Sequence, residues 1–94
     1  MRGEAMQVLL HNLARKYYER LNEPTKGDIN TAIDGLEKEP SEGDIKPLAG
    51  QKGRFRLVAG SHRILFRYEQ EHIFITHIEP RGQAYNKKNM RGKR

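Results

Sequence analysis

Between residues 53 and 80 three successive runs read as strands with a period of two, and in the first two apolar side chains alternate with arginines. Phe55, Leu57 and Ala59 alternate with Arg54, Arg56 and Val58. After Gly60-Ser61, Ile64, Phe66 and Tyr68 alternate with Arg63, Leu65 and Arg67. After a turn over Glu69–Glu71, Phe74, Thr76 and Ile78 alternate with Ile73, Ile75 and His77. Successive side chains of a strand point to opposite faces, so each run predicts a two-faced strand. Phe55, Leu57, Ile64, Phe66, Phe74 and Ile78 are expected to face the core. The opposite face then carries Arg54, Arg56, Arg63, Arg67 and His77, with Val58, Leu65 and Ile75 among them.

Upstream the period changes. Residues 5–10 (AMQVLL) predict a short first strand. Asn12 is the expected N-cap of a helix running to about Leu21, with Leu13, Tyr17 and Leu21 on one face and Ala14 and Tyr18 beside them. Asn22-Glu23-Pro24 breaks it. Thr25 and Asp28 have capping-box spacing, and Ile29, Ala32, Ile33 and Leu36 follow at i, i+3, i+4, i+7, which predicts an amphipathic helix ended by Pro40. The two helices form a hairpin. Ser41–Lys52 is polar, contains Pro47 and two glycines, and reads as a loop anchored by Leu48. A short helix is expected after Tyr85. The order β-α-α-β-β-β makes this an α+β fold, a helical hairpin packed on a small antiparallel sheet, in one domain over residues 1–94 with a flexible basic tail from 86.

Charge sharpens the picture. The 94-residue chain carries +6, but residues 1–49 hold seven Lys/Arg and nine Asp/Glu, whereas residues 50–94 hold eleven and three. The second half, net +8, is the part that faces a polyanion. There is no cysteine, which removes disulfides, thiolate metal sites and cysteine nucleophiles and fits a reducing cytoplasm. No apolar run exceeds four residues, so neither a signal peptide nor a membrane span is expected. The four scattered histidines lack metal-ligand spacing.

Cations lining a strand face suit phosphate. Arginine is permanently charged and grips phosphate oxygens in a fork. Metal-free RNA cleavage needs such cations around the phosphorane, plus groups that take the 2′-hydroxyl proton and give one to the leaving 5′-oxygen. Histidine exchanges protons near neutral pH; tyrosine does so only when neighbouring cations favour phenolate, and it also stacks on bases. His77, Tyr85 and the arginines are therefore the candidates. The bland alternative is a solvated sheet face whose charges serve solubility, with His77 a polar residue satisfied by a neighbour.

Five segments in order resemble the RelE/ParE superfamily of toxins from bacterial and archaeal toxin–antitoxin pairs: MQVLLHN, AIDGLEKEP, DIKPLAG, RFRLVAGSHRILFRYE and IEPRGQAY. The resemblance runs from about Met6 to Tyr85. The last segment is similar to the RelE branch, whose members are compact, metal-free endoribonucleases that cut mRNA in the ribosomal A site; ParE-type members inhibit DNA gyrase. The resemblance implies catalytic roles for Arg56 on the first long strand, Arg63 at mid-sheet, Arg81 after the last strand and the terminal Tyr85, with His77 a second candidate for proton transfer. Arg54, Arg67, Lys87 and Lys88 are expected to bind RNA. It implies no cofactor, a cytoplasmic location, and two partners: a cognate antitoxin, whose acidic chain would match the basic half, and mRNA on the ribosome with its rRNA. Val58 departs from the pattern, because RelE-type members often carry a second basic residue there. Three readings stay open: ribonuclease, gyrase inhibitor, and a non-catalytic member that binds antitoxin or RNA.

Overall fold

The computed structural model describes residues 7–38 and 40–81. In chain order these form β1 (Gln7–Leu10), α1 (Asn12–Glu19), α2 (Thr25–Leu36), β2 (Asp44–Pro47), β3 (Arg54–Ala59), β4 (His62–Glu69) and β5 (His72–Pro80). The strands make one sheet in the order β1-β5-β4-β3-β2, with β1 parallel to β5 and the other pairs antiparallel. The expected α+β architecture is present. The sheet is wider than the three-strand meander, because the first strand joins it at one edge and a strand within the expected loop joins it at the other.

Apolar burial explains where the helices sit. Leu57, Ile64, Phe66, Ile73, Ile75 and Ile78 on the sheet meet Ala14 of α1 and Ile29 and Leu36 of α2, and all are buried. Phe66 is wholly enclosed, with Phe55 stacked on it at 5.8 Å between ring centroids and Tyr68 edge-on at 5.5 Å. Both helices therefore cover one face, and the other carries the cations.

Four expectations change. First, Ser41–Lys52 is not a plain loop. Asp44–Pro47 pairs with β3, where Ile45 lies opposite Leu57 and becomes half-buried. Second, α1 begins one residue earlier than a cap at Asn12 would place it. The N-cap is His11, whose Nδ1 accepts the Leu13 N–H at 3.1 Å. Its inward face is Ala14, Tyr17, Tyr18 and Leu21, whereas Leu13 is 63% exposed. Third, Thr25 does not cap α2. The freed Gly27 amide is taken by the Glu23 carboxylate at 3.0 Å.

The fourth change matters most. In β5 the core residues are Ile73 and Ile75, not Phe74. Leu65 pairs with His77 but Phe66 pairs with Ile75, so Thr76 is an extra residue, a β-bulge. The bulge shifts the alternation by one. Ile73 and Ile75 point to the core before it and Ile78 after it, while Phe74 and His77 both reach the cationic face. The short helix expected after Tyr85 lies outside the described residues.

Candidate nucleic-acid interface

Strand register arranges the open face in three rows. Lys46, Arg56, Leu65 and His77 form the middle row across β2, β3, β4 and β5. Arg54, Arg67, Phe74 and Leu9 form a row on one side, and Asp44, Val58, Arg63 and Glu79 a row on the other. Neighbouring strands lie about 4.8 Å apart, so side chains within a row are in reach of one another.

The rows differ in charge. In the Val58 row Arg63 is bound to Glu79: its Nε donates to Oε2 at 3.1 Å and its Nη2 forms an ion pair with the same oxygen. Two carboxylates in that row offset its one cation. The middle row holds Lys46 and Arg56 and no acid. In the remaining row Arg67 is ion-paired to Glu69 through Nε and lies over the Phe74 ring, 4.8 Å from its centroid. Among the described residues, Lys46, Arg54 and Arg56 have no carboxylate at ion-pair distance. The positive potential thus concentrates on the side of the face away from Val58.

There the β-bulge builds a small network. Thr76 is only 8% exposed. Its Oγ1 accepts from Arg54 Nη2 at 2.9 Å, donates to the Leu65 carbonyl at 3.2 Å and lies 3.1 Å from His77 Nδ1. The Arg54 Nε is buried with no partner among the described residues. Beside the network an open cavity of about 330 Å³ is lined by Arg54, Arg67, Phe74, Thr76 and His77 of the sheet and by His11 and Leu13 at the start of α1. The His11 ring meets Phe74 edge-on at 6.2 Å. The cavity thus brings the guanidiniums of Arg54 and Arg67 together with the apolar surface of Leu13 and Phe74.

Of the residues expected from sequence, the structure gathers Arg54, Arg67 and His77 around this cavity, with Arg56 in the adjacent row. It sets Arg63 apart, held by Glu79. Arg81 is exposed beside the Gly60–Ser61 turn, its backbone N–H bonded to the Ser61 carbonyl at 2.7 Å. Tyr85, Lys87 and Lys88 lie outside the described residues. Sequence reasoning missed Thr76, Phe74, His11 and Lys46. A strand reading of DIKP would have found Lys46; the others depend on the bulge and on where α1 starts.

His62 does not join this face. It sits toward the helices, with Nε2 3.0 Å from the Tyr17 hydroxyl and Nδ1 3.0 Å from Ser61 Oγ. Burial there pushes its imidazole below the ordinary histidine value of 6.5.

This architecture is the one found in RelE/ParE-type toxins. The chain superposes on the RelE–RelB complex of the archaeon Pyrococcus horikoshii with a TM-score of 0.68 and 24% identity, covering 85% of this chain and 99% of that one. On the RelB–RelE antitoxin–toxin complex of Methanococcus jannaschii the TM-score is 0.67 at 17% identity, covering 84% and 96%. On the YoeB/ParE toxin of Agrobacterium tumefaciens it is 0.69 at 19% identity, covering 80% and 98%. No family model and no curated protein matches the sequence. The chain thus has the RelE/ParE-like toxin fold, with a cationic open sheet face, and no helix among its described residues is long and apolar enough to cross a membrane.

Proposed function

We propose that this chain is the toxin of a type II toxin–antitoxin pair, an endoribonuclease that cuts mRNA in the ribosomal A site within the cytoplasm. The observation that carries this reading is the open sheet face: on a RelE/ParE-like fold, Lys46, Arg54 and Arg56 line it with no carboxylate at ion-pair distance among the described residues, where RNA phosphates can reach them. In this reading Arg56 holds the scissile phosphate, with Arg54 and Arg67 on the flanking strand of RNA. Arg81 stabilises the departing 5′-oxygen, and Tyr85 orients the nucleotide by stacking. Arg63 contributes as a phosphate ligand when Glu79 releases it. Lys87 and Lys88 add contacts to ribosomal RNA. The residues assigned to chemistry need no metal, because the arginines supply the charge and His77 or Tyr85 the proton acceptor.

The structures that share this fold include RelE bound to RelB. An antitoxin of acidic and apolar character suits this chain in the same way. It would neutralise the cationic face and cover the exposed Leu9 and Leu13.

A second reading has its own observation. Val58 stands in the row where Arg63 is engaged by Glu79, so that part of the face offers little free charge. A binder of RNA or antitoxin without cleavage would look like this. Purified protein added to ribosomes stalled on a defined mRNA separates the two. The ribonuclease reading expects cleavage at the A-site codon and none of the same RNA free in solution. Ribosome binding without cleavage would establish the second reading.

A further inference from the structure

Thr76 fixes which nitrogen of His77 carries a proton. A threonine hydroxyl has one hydrogen and two lone pairs. The Leu65 carbonyl can only accept and the Arg54 guanidinium can only donate, so the hydroxyl hydrogen goes to Leu65 and one lone pair to Arg54. His77 Nδ1, 3.1 Å from the same oxygen, then meets a lone pair. All three contacts are hydrogen bonds only if Nδ1 bears the hydrogen. In the neutral ring Nε2 is then the bare nitrogen. Because His77 is exposed on the cavity side of the sheet, that nitrogen is open to a ligand.

Resting on the ribonuclease reading, we infer that His77 Nε2 is the proton acceptor of the reaction and that Thr76 is its positioning residue. The 2′-hydroxyl gives its proton to Nε2 while the 2′-oxygen forms a bond to phosphorus. The P–O5′ bond breaks, and the 5′-oxygen takes a proton from a water molecule. The hydroxide so formed takes the proton back from the imidazolium. The products are a 2′,3′-cyclic phosphate and a 5′-hydroxyl. Arg56, in the same row across the sheet as His77, places positive charge beside the developing phosphorane, while Arg54 and Arg67 line the cavity for the flanking phosphate and Leu13 and Phe74 supply apolar surface for the base. A ring flipped to the other tautomer would present an N–H to the 2′-hydroxyl and could not accept its proton, which is why a residue that never touches substrate matters here. Among the described residues, the charged or titratable groups on the face around His77 are His11 at the start of α1, Arg54 and Arg56 of β3, Arg63 and Arg67 of β4, and Glu79 two residues further along β5.

Two measurements test this. Long-range proton–nitrogen NMR of the free protein reads the tautomer without any activity. The Nδ1–H form is expected in the wild type and in Thr76→Ser, and a mixture in Thr76→Val, whose unchanged amide spectrum elsewhere would confirm folding. An Nε2–H ring in the wild type, or a Thr76→Val ring identical to wild type, overturns the inference. Single-turnover cleavage on programmed ribosomes reads the chemistry. His77→Gln is expected to slow it on the order of 100-fold or more. Thr76→Val should slow it on the order of tenfold, with rescue by Thr76→Ser. If the wild type cuts and His77→Gln cuts equally fast, the inference fails and the ribonuclease reading stands. If the wild type does not cut, the ribonuclease reading fails, and the inference with it.

Discussion

Arg63 points its Nε and Nη2 at a single oxygen of Glu79, its cross-strand partner between β4 and β5. The pair is about one-third exposed, at 35% and 36%. At that exposure its net effect on stability is about 0–1 kcal/mol, so its larger effect is on charge available to a ligand. Glu79→Gln is expected to free Arg63 for phosphate. Binding of single-stranded RNA should tighten at low salt, and the slope of log affinity against log salt should steepen by about 0.7. Filter binding across a salt series checks this. An unchanged slope would mean that Arg63 stays out of contact with RNA even when released.

Phe66 is fully buried between Phe55 and Tyr68 at the centre of the helix-facing side. Phe66→Ala should cost about 3–5 kcal/mol in urea unfolding, from lost transfer energy plus the cavity left behind. Phe74→Ala, on the cationic face, should cost clearly less. Equal losses at the two positions would contradict the assignment of β5 faces across the bulge.

His62 supplies a pH dependence with a definite sign. Burial lowers its folded-state value below 6.5, while the unfolded chain titrates near 6.5. Between those two values the unfolded state holds more protons, so stability rises with pH there and is lost as pH falls through the window. The urea midpoint of the wild type should drop as the pH falls through the unfolded-state value of about 6.5, and His62→Gln should flatten that drop. A steeper fall in the variant would contradict the burial of a neutral ring against Tyr17.

Gly60 opens the turn between β3 and β4 with φ +59°, and a Cβ there would stand 2.6 Å from Asp28 Oδ2. Gly60→Ala should destabilise by about 1–2 kcal/mol, from the left-handed backbone. Asp28→Ala in the same chain should recover the part owed to the clash. No recovery would assign the whole cost to the backbone.

Much of this was legible in the chain. In β3 and β4 arginines alternate with Phe55, Leu57, Ile64 and Phe66, so the polar partners mark the faces without ambiguity. In β5 the run Ile73–Thr76 has no charged residue to mark a face, and a one-residue bulge then moves every side chain before it to the other side. The short DIKP strand was hidden by Pro47, which an edge strand tolerates. Leu13 misleads about the face of α1 because it is apolar yet sits in the first turn, where it lines the cavity beside Phe74 and is 63% exposed. Of the site, the cationic residues were readable as a set. Their division into ion-paired cations and cations without a carboxylate partner was not, because strand register and not sequence spacing sets Arg63 opposite Glu79 and leaves Arg54 and Arg56 opposite Arg67 and Leu65.

The central claim is that this cationic face cuts translated mRNA. Its most direct test is to induce the chain in cells and map new mRNA 5′ ends, beside Arg56→Ala and an Arg81→Ala/Tyr85→Ala double variant. The account predicts new 5′ ends in frame within translated regions for the wild type, reduced in Arg56→Ala and absent in the double variant. Intact mRNA in cells that accumulate the wild-type protein would contradict it. Double-strand DNA breaks in those same cells would then identify a gyrase inhibitor, and their absence a protein that only binds.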